Sequence, residues 1–92
     1  MQKKRHKSHE FLLLFIINGQ DFPVAVDFHA PLMTAVVKAL TESGNTGRPP
    51  EEWEVRNASG VLLETSRTPE ELRLHDETRL FLSLKVGAGG VG

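Results

Sequence analysis

The sequence predicts an α+β domain, a mixed sheet of four to five strands packed on one helix. Three observations carry that expectation. First, an apolar run, Phe11-Leu12-Leu13-Leu14-Phe15-Ile16-Ile17, meets Asn18-Gly19 and then a second run with period-two alternation. Second, a single segment, Pro31 to Ser43, carries helical spacing. Third, the remaining apolar runs are short and separated by glycine, proline and Asx turn signals.

Phe11–Ile17 is aromatic and β-branched enough to read as strand one, apolar and buried on both faces and therefore central. Asn18-Gly19 is the strongest short hairpin signal. In strand two, Phe22, Val24, Val26 and Phe28 alternate with Pro23, Ala25 and Asp27, which gives one inward face. Pro23 lacks an N–H, so strand two belongs at a sheet edge. Pro31 suits a first helical turn. Leu32, Val36, Val37 and Leu40, with Met33 beside them, form one apolar stripe that ends near Ser43, before Gly44. Gly47 and Pro49-Pro50 prolong the break. Trp53–Asn57 alternates as a third strand, Ala58-Ser59-Gly60 turns, and Val61-Leu62-Leu63 makes a short fourth strand.

Thr68-Pro69-Glu70-Glu71-Leu72 combines a capping threonine, a proline and acids in a first turn, which predicts one helical or 3₁₀ turn. His75-Asp76-Glu77 turns into a last strand over 79–86. There Leu80, Leu82 and Leu84 alternate with Arg79, Phe81, Ser83 and Lys85. Strand one should pair with strand two and with the last strand. This is a β-grasp arrangement.

Ninety-two residues make one small domain. The net charge of −1 hides a split. Residues 1–9 carry Lys3, Lys4, Arg5 and Lys7 and no acid, whereas the rest holds seven basic and twelve acidic residues. Four of the eight glycines, Gly87, Gly89, Gly90 and Gly92, fall in the last six positions. The expected organisation is therefore a disordered basic arm over 1–9, a folded domain over 10–86 and a flexible tail over 87–92.

With no cysteine, a disulfide scaffold, a cysteine zinc site and a catalytic thiol are excluded, and a cytoplasmic location is expected. The acidic body argues against nucleic-acid binding. Seven apolar residues are too few to cross a bilayer as a helix, which takes about 20. The run follows a basic stretch, as in a secretory signal, but Asn18-Gly19 favours a strand and turn over a cleavage site.

In order and spacing these pieces resemble ubiquitin and its relatives, from Phe11 to Gly90. The carriers are the hairpin FLLLFIINGQDFPVAVDF, the helix closing in RPPEEW, the turn ASGVLLE, the segment TPEEL and the ending DETRLFLSLKVGAGG. Within the family the chain is most similar to bacterial ubiquitin-like modifiers encoded beside activating, conjugating and peptidase-like proteins. The departures are also specific. Lys85 stands where ubiquitin has an arginine, and one extra residue precedes the glycine pair. The positions matching ubiquitin's apolar recognition patch, Arg56 or Asn57 and Ser83, are polar. Val91-Gly92 follows the glycine pair.

The resemblance implies a protein modifier that performs no catalysis and binds no cofactor itself. A peptidase would cut between Gly90 and Val91. An activating enzyme would adenylate Gly90 with ATP, and a conjugating enzyme would deliver it to an acceptor, with antiviral defence as the associated process. Gly89-Gly90 is the conjugation tail, since glycine lets the chain thread a narrow site in extended form. Exposed lysines could accept another copy of the tail, with Lys3, Lys4, Lys7, Lys38 and Lys85 as candidates. The free protein is expected to be a monomer. Two alternatives share the fold: a sulfur carrier of the thiamin or molybdopterin type, against which Val91-Gly92 counts, and a non-covalent interaction domain whose tail is idle.

His6 and His9, three apart, are expected to be solvated rather than metal-bound. His29 and His75 fall in turns without a visible nucleophile, and no serine sits in a nucleophile elbow. Trp53 reads as a core plug under the helix rather than a ligand platform.

Overall fold

The computed structural model describes residues 10–85. Strands β1 (Glu10–Ile17) and β2 (Gln20–Asp27) form the expected hairpin. Asn18 and Gly19 both take positive φ, 53° and 80°, the type I′ geometry that matches strand twist. Helix α1 spans Leu32–Ser43. A 3₁₀ turn over Pro50–Glu52 leads into β3 (Trp53–Arg56), followed by β4 (Leu62–Leu63) and β5 (Thr78–Leu84). The five strands lie in the order β2-β1-β5-β3-β4, and β1 runs parallel to β5 at the centre.

The inner sheet face and α1 make one core. Leu13, Phe15 and Ile17 from β1 meet Val24 and Val26 from β2 and Leu80 and Leu82 from β5. Leu32, Ala35, Val36, Ala39 and Leu40 of α1 cover them, with Trp53 and Val55 of β3 closing one side. One expectation is corrected here. β1 is not buried on both faces, because the single helix covers only one face of the sheet. Leu12, Leu14 and Ile16 point to the open face, where Leu12 is exposed and the other two are half-buried.

Local chemistry explains the ends of the elements. The first N–H groups of α1 lack intrahelical acceptors, and no side chain caps them. Instead Leu32 N–H donates to Arg67 C=O at 2.8 Å and Met33 N–H to Thr65 C=O at 2.9 Å, so the 64–67 loop is the cap. At the other end Gly44 takes φ 78°, and Asn45 N–H reaches back to Leu40 C=O at 2.9 Å. A Cβ at Gly44 would touch nothing within 4 Å, so the cost of adding one is conformational alone. Gly44→Ala should lose about 1 kcal/mol and lower Tm by about 4–8 °C in a thermal scan.

The 68–74 segment forms the expected single turn through a reciprocal capping box. Glu71 N–H donates to Thr68 Oγ1 at 3.0 Å, and Thr68 N–H donates to Glu71 Oε1 at 3.1 Å. Asp76 ties this region to the sheet by accepting Leu12 N–H at 2.8 Å.

The β2 edge is blunted. Pro23 has no N–H to offer there, and Lys38 Nζ donates to Ala25 C=O at 3.2 Å. The expected last strand, 79–86, starts one residue earlier and ends at Leu84. The basic arm (1–9), Val86 and the glycine tail (87–92) lie outside the described residues. Among the described residues no helix is long and apolar enough to cross a membrane.

Candidate functional site

β5 delivers the chain to one end of the sheet. Lys85 N–H donates to Glu52 C=O at 2.8 Å, which fastens the end of the strand to the 3₁₀ turn. Gly89, Gly90 and Val91 follow and lie outside the described residues, as do Lys3, Lys4 and Lys7. The two described lysines are separated by the sheet. Lys38 is spread over the β2 edge, and Lys85 stands beside β3.

On the open face the polar positions noted in the sequence take their expected places. Arg56 lies opposite Phe81, and Ser83 opposite Glu54. The Arg56 guanidinium is held by Glu54 Oε2 at 3.1 Å and donates to Gly60 C=O at 3.0 Å. An apolar strip is present nonetheless, one strand over. Ile16 lies opposite Phe81, which is 40% exposed, with Leu14 and Leu12 along the same face. It went unseen in the sequence because the alternation of strand one is masked when both faces are apolar.

A concavity lies elsewhere. β4 pairs only with Val55 and Arg56, so the Trp53-Glu54 half of β3 has β5 on one side and no strand on the other. A groove of about 570 Å³ occupies that gap, within the usual range for ligand sites of roughly 300–1,000 Å³. Met33, Trp53, Leu62 and Leu63 supply its apolar lining. Glu51, Glu54 and Glu64 supply three carboxylates against one ammonium, Lys85. Glu54 is paired with Arg56, and Glu64 with Arg67 at 2.9 Å. The hydrogen bond and charge of Glu64, then the charge of Glu71, raise the Arg67 guanidinium above its usual range. Glu51 has no ion-pair partner among the described residues.

Trp53 is 8% exposed, as expected of a core plug, yet its ring also lines this groove. Its indole N–H is buried and has no acceptor among the described residues. Such a donor costs about 1–3 kcal/mol when left unpaired. A sequence carries no sign of an orphaned donor, so this feature was not legible. Among the described residues no group of three or more His, Cys, Asp or Glu could hold a metal ion. His29 lies 3.3 Å from Glu70 on the surface.

Comparison with known proteins agrees with this geometry. A solved structure of a de novo designed protein based on ubiquitin superposes with a TM-score of 0.73. It covers 89% of this chain and 96% of its own, at 22% identity, which establishes a ubiquitin-like fold. The uncharacterised protein y4jI of Sinorhizobium fredii (strain NBRC 101917 / NGR234) is 32% identical over 78 residues, covering 85% of this chain. The chain in turn spans 60% of the length of that relative. The family described as "Protein of Unknown function (DUF2604)" has a model that matches residues 6–90, and the chain belongs to it.

Proposed function

We propose that the chain is a ubiquitin-like protein modifier in a bacterial conjugation pathway, transferred through the carboxyl group of Gly90. The observation that carries this reading is the union of a ubiquitin-like body with a sequence that runs from its central last strand into Gly89-Gly90. Lys85 is fastened to Glu52, so the body ends at a fixed point five residues before Gly90.

The chemistry needs three partners and no cofactor on the chain itself. A peptidase adds water across the Gly90–Val91 bond and releases Val-Gly. An activating enzyme joins the Gly90 carboxylate to ATP, forming an acyl adenylate and releasing pyrophosphate. A nucleophile of the conjugating enzyme then displaces AMP, and an acceptor amine displaces that nucleophile. Each step acts on the Gly90 carbonyl, and the two glycines that lead to it, Gly89 and Gly90, leave room for the enzyme's groups.

Lys38 and Lys85 are the described acceptor candidates. Lys85 is the freer of the two, since Lys38 is hydrogen-bonded to Ala25. The test is the intact mass of the full chain after incubation with a candidate peptidase and activating enzyme. Loss of Val-Gly followed by an ATP-dependent adduct is the expected result. Retention of Val91-Gly92 throughout, or a gain of one sulfur, rejects it.

A further inference from the structure

We propose that Asn18-Gly19 is a self-modification site, where the folded chain converts its asparagine to aspartate and isoaspartate with water as the one co-reactant. The inference rests on the β1–β2 turn and is independent of any reaction at Gly90.

The reaction needs a free side-chain amide and an uncrowded backbone nitrogen one residue on. The Gly19 nitrogen attacks Asn18 Cγ and closes a succinimide ring. The Cγ–Nδ2 bond breaks, and its electron pair leaves with Nδ2. That nitrogen takes the proton lost by Gly19 N–H and departs as ammonia. Water then adds to either ring carbonyl. Opening at Cγ gives aspartate. Opening at the Asn18 backbone carbonyl gives isoaspartate, which routes the main chain through Cβ and Cγ.

Sequence and geometry both single out this pair. The chain has three asparagines, followed by Gly19, Thr46 and Ala58. Glycine alone brings no side chain to crowd the attacking nitrogen. Asn18 and Gly19 are exposed at the tip of the hairpin. Among the described residues Gly19 N–H donates to no backbone carbonyl. The asparagine side-chain hydrogen bonds there belong to the other two. Asn57 Oδ1 accepts Ser59 N–H at 2.9 Å and Val61 N–H at 3.0 Å. Asn45 Nδ2 donates to Ser43 Oγ at 2.8 Å. The fold therefore restrains two amides and leaves the third loose. Because β1 runs parallel to β5, with Ile17 opposite Leu82, the turn lies at the end of the sheet where β5 stops. Each conversion adds a carboxylate at that end.

The full chain, kept at neutral pH and body temperature, is digested at intervals and mapped by peptide mass. Isoaspartate is read by methyl transfer from an isoaspartate-specific methyltransferase. Asn18 should lose ammonia about tenfold or more faster than Asn45 or Asn57, giving both products. Asn18→Gly keeps a sequence suited to the type I′ turn and should abolish the mass change in that peptide. Ala58→Gly removes the crowding beside Asn57 and leaves its two hydrogen bonds. In that variant Asn57 should still react about threefold or more slowly than Asn18 when folded, and at a similar rate in urea.

Equal rates at the three asparagines of the parent overturn the proposal, as does conversion of Asn18 in urea alone. Aspartate without isoaspartate would show direct hydrolysis and overturn the ring step. If Asn57 of folded Ala58→Gly matches Asn18, the following residue alone sets the rate, which overturns the structural basis.

Discussion

Phe15→Ala should cost the folded state about 3–5 kcal/mol at 25 °C, a large share of its total stability. Phe15 is fully buried at the centre of β1, opposite Phe22 on β2 and Leu80 on β5. Removing a buried phenylalanine ring costs about 3–5 kcal/mol, partly as lost burial and partly as the cavity left behind. A body of this size has a total stability of only about 4–11 kcal/mol. The flanking positions are strands on both sides, so the backbone cannot collapse inward to fill the space. Urea titration followed by far-UV circular dichroism measures the loss. Phe81→Ala is the matched control. The same residue type is 40% exposed on the open face of β5, and its removal should cost about 1 kcal/mol or less. Equal losses from the two substitutions would contradict the arrangement of one covered and one open sheet face.

The second large effect concerns reactivity rather than stability. Gly90→Ala should leave the denaturation midpoint unchanged while reducing ATP-dependent activation about 100-fold or more. Every residue of the described core precedes Lys85. In a narrow adenylating site the added methyl displaces the carboxylate from its line of attack, and a shift of about 1 Å can cost about 100-fold. Pyrophosphate exchange with a candidate activating enzyme, on chain truncated after residue 90, gives the rate. A variant activated as fast as the parent would remove the modifier reading, since nothing else in the chain explains a required glycine there.

Much of the fold is legible because local chemistry and global pattern coincide. Asn18-Gly19 permits the type I′ turn, Gly44 the left-handed stop, and Thr68 with Glu71 the capping box. Pro23 correctly locates the edge, since a missing N–H is tolerated best there. The open face is where the pattern misleads. Leu12, Leu14 and Ile16 are as apolar as their buried neighbours, so period-two alternation vanishes and β1 reads as doubly covered. The sheet stays uncovered on that side because α1 is the one α-helix among the described residues.

The groove was invisible for a different reason. Trp53, Leu62 and Leu63 look like ordinary core or strand residues one at a time. Their concavity arises from β4 stopping after two residues, which is a matter of register between segments. The tail presents the reverse case. Gly89-Gly90 is conspicuous in sequence and lies outside the described residues.

The central pairing of β1 with β5 also governs how the body can assemble. Leu13 lies opposite Thr78 and Ile17 opposite Leu82, so the middle of the sheet joins the two ends of the domain. The β1–β2 hairpin can form early from local contacts alone. Its second edge then stays unsatisfied, with apolar side chains beside it, until the last strand arrives. Closure entropy of that long loop makes the step slow compared with folding of a helical bundle. A nascent or truncated chain that lacks Thr78–Leu84 would present β1 as a bare, sticky template for other strands. Folding and exposure to aggregation are thus gated by the arrival of one seven-residue strand.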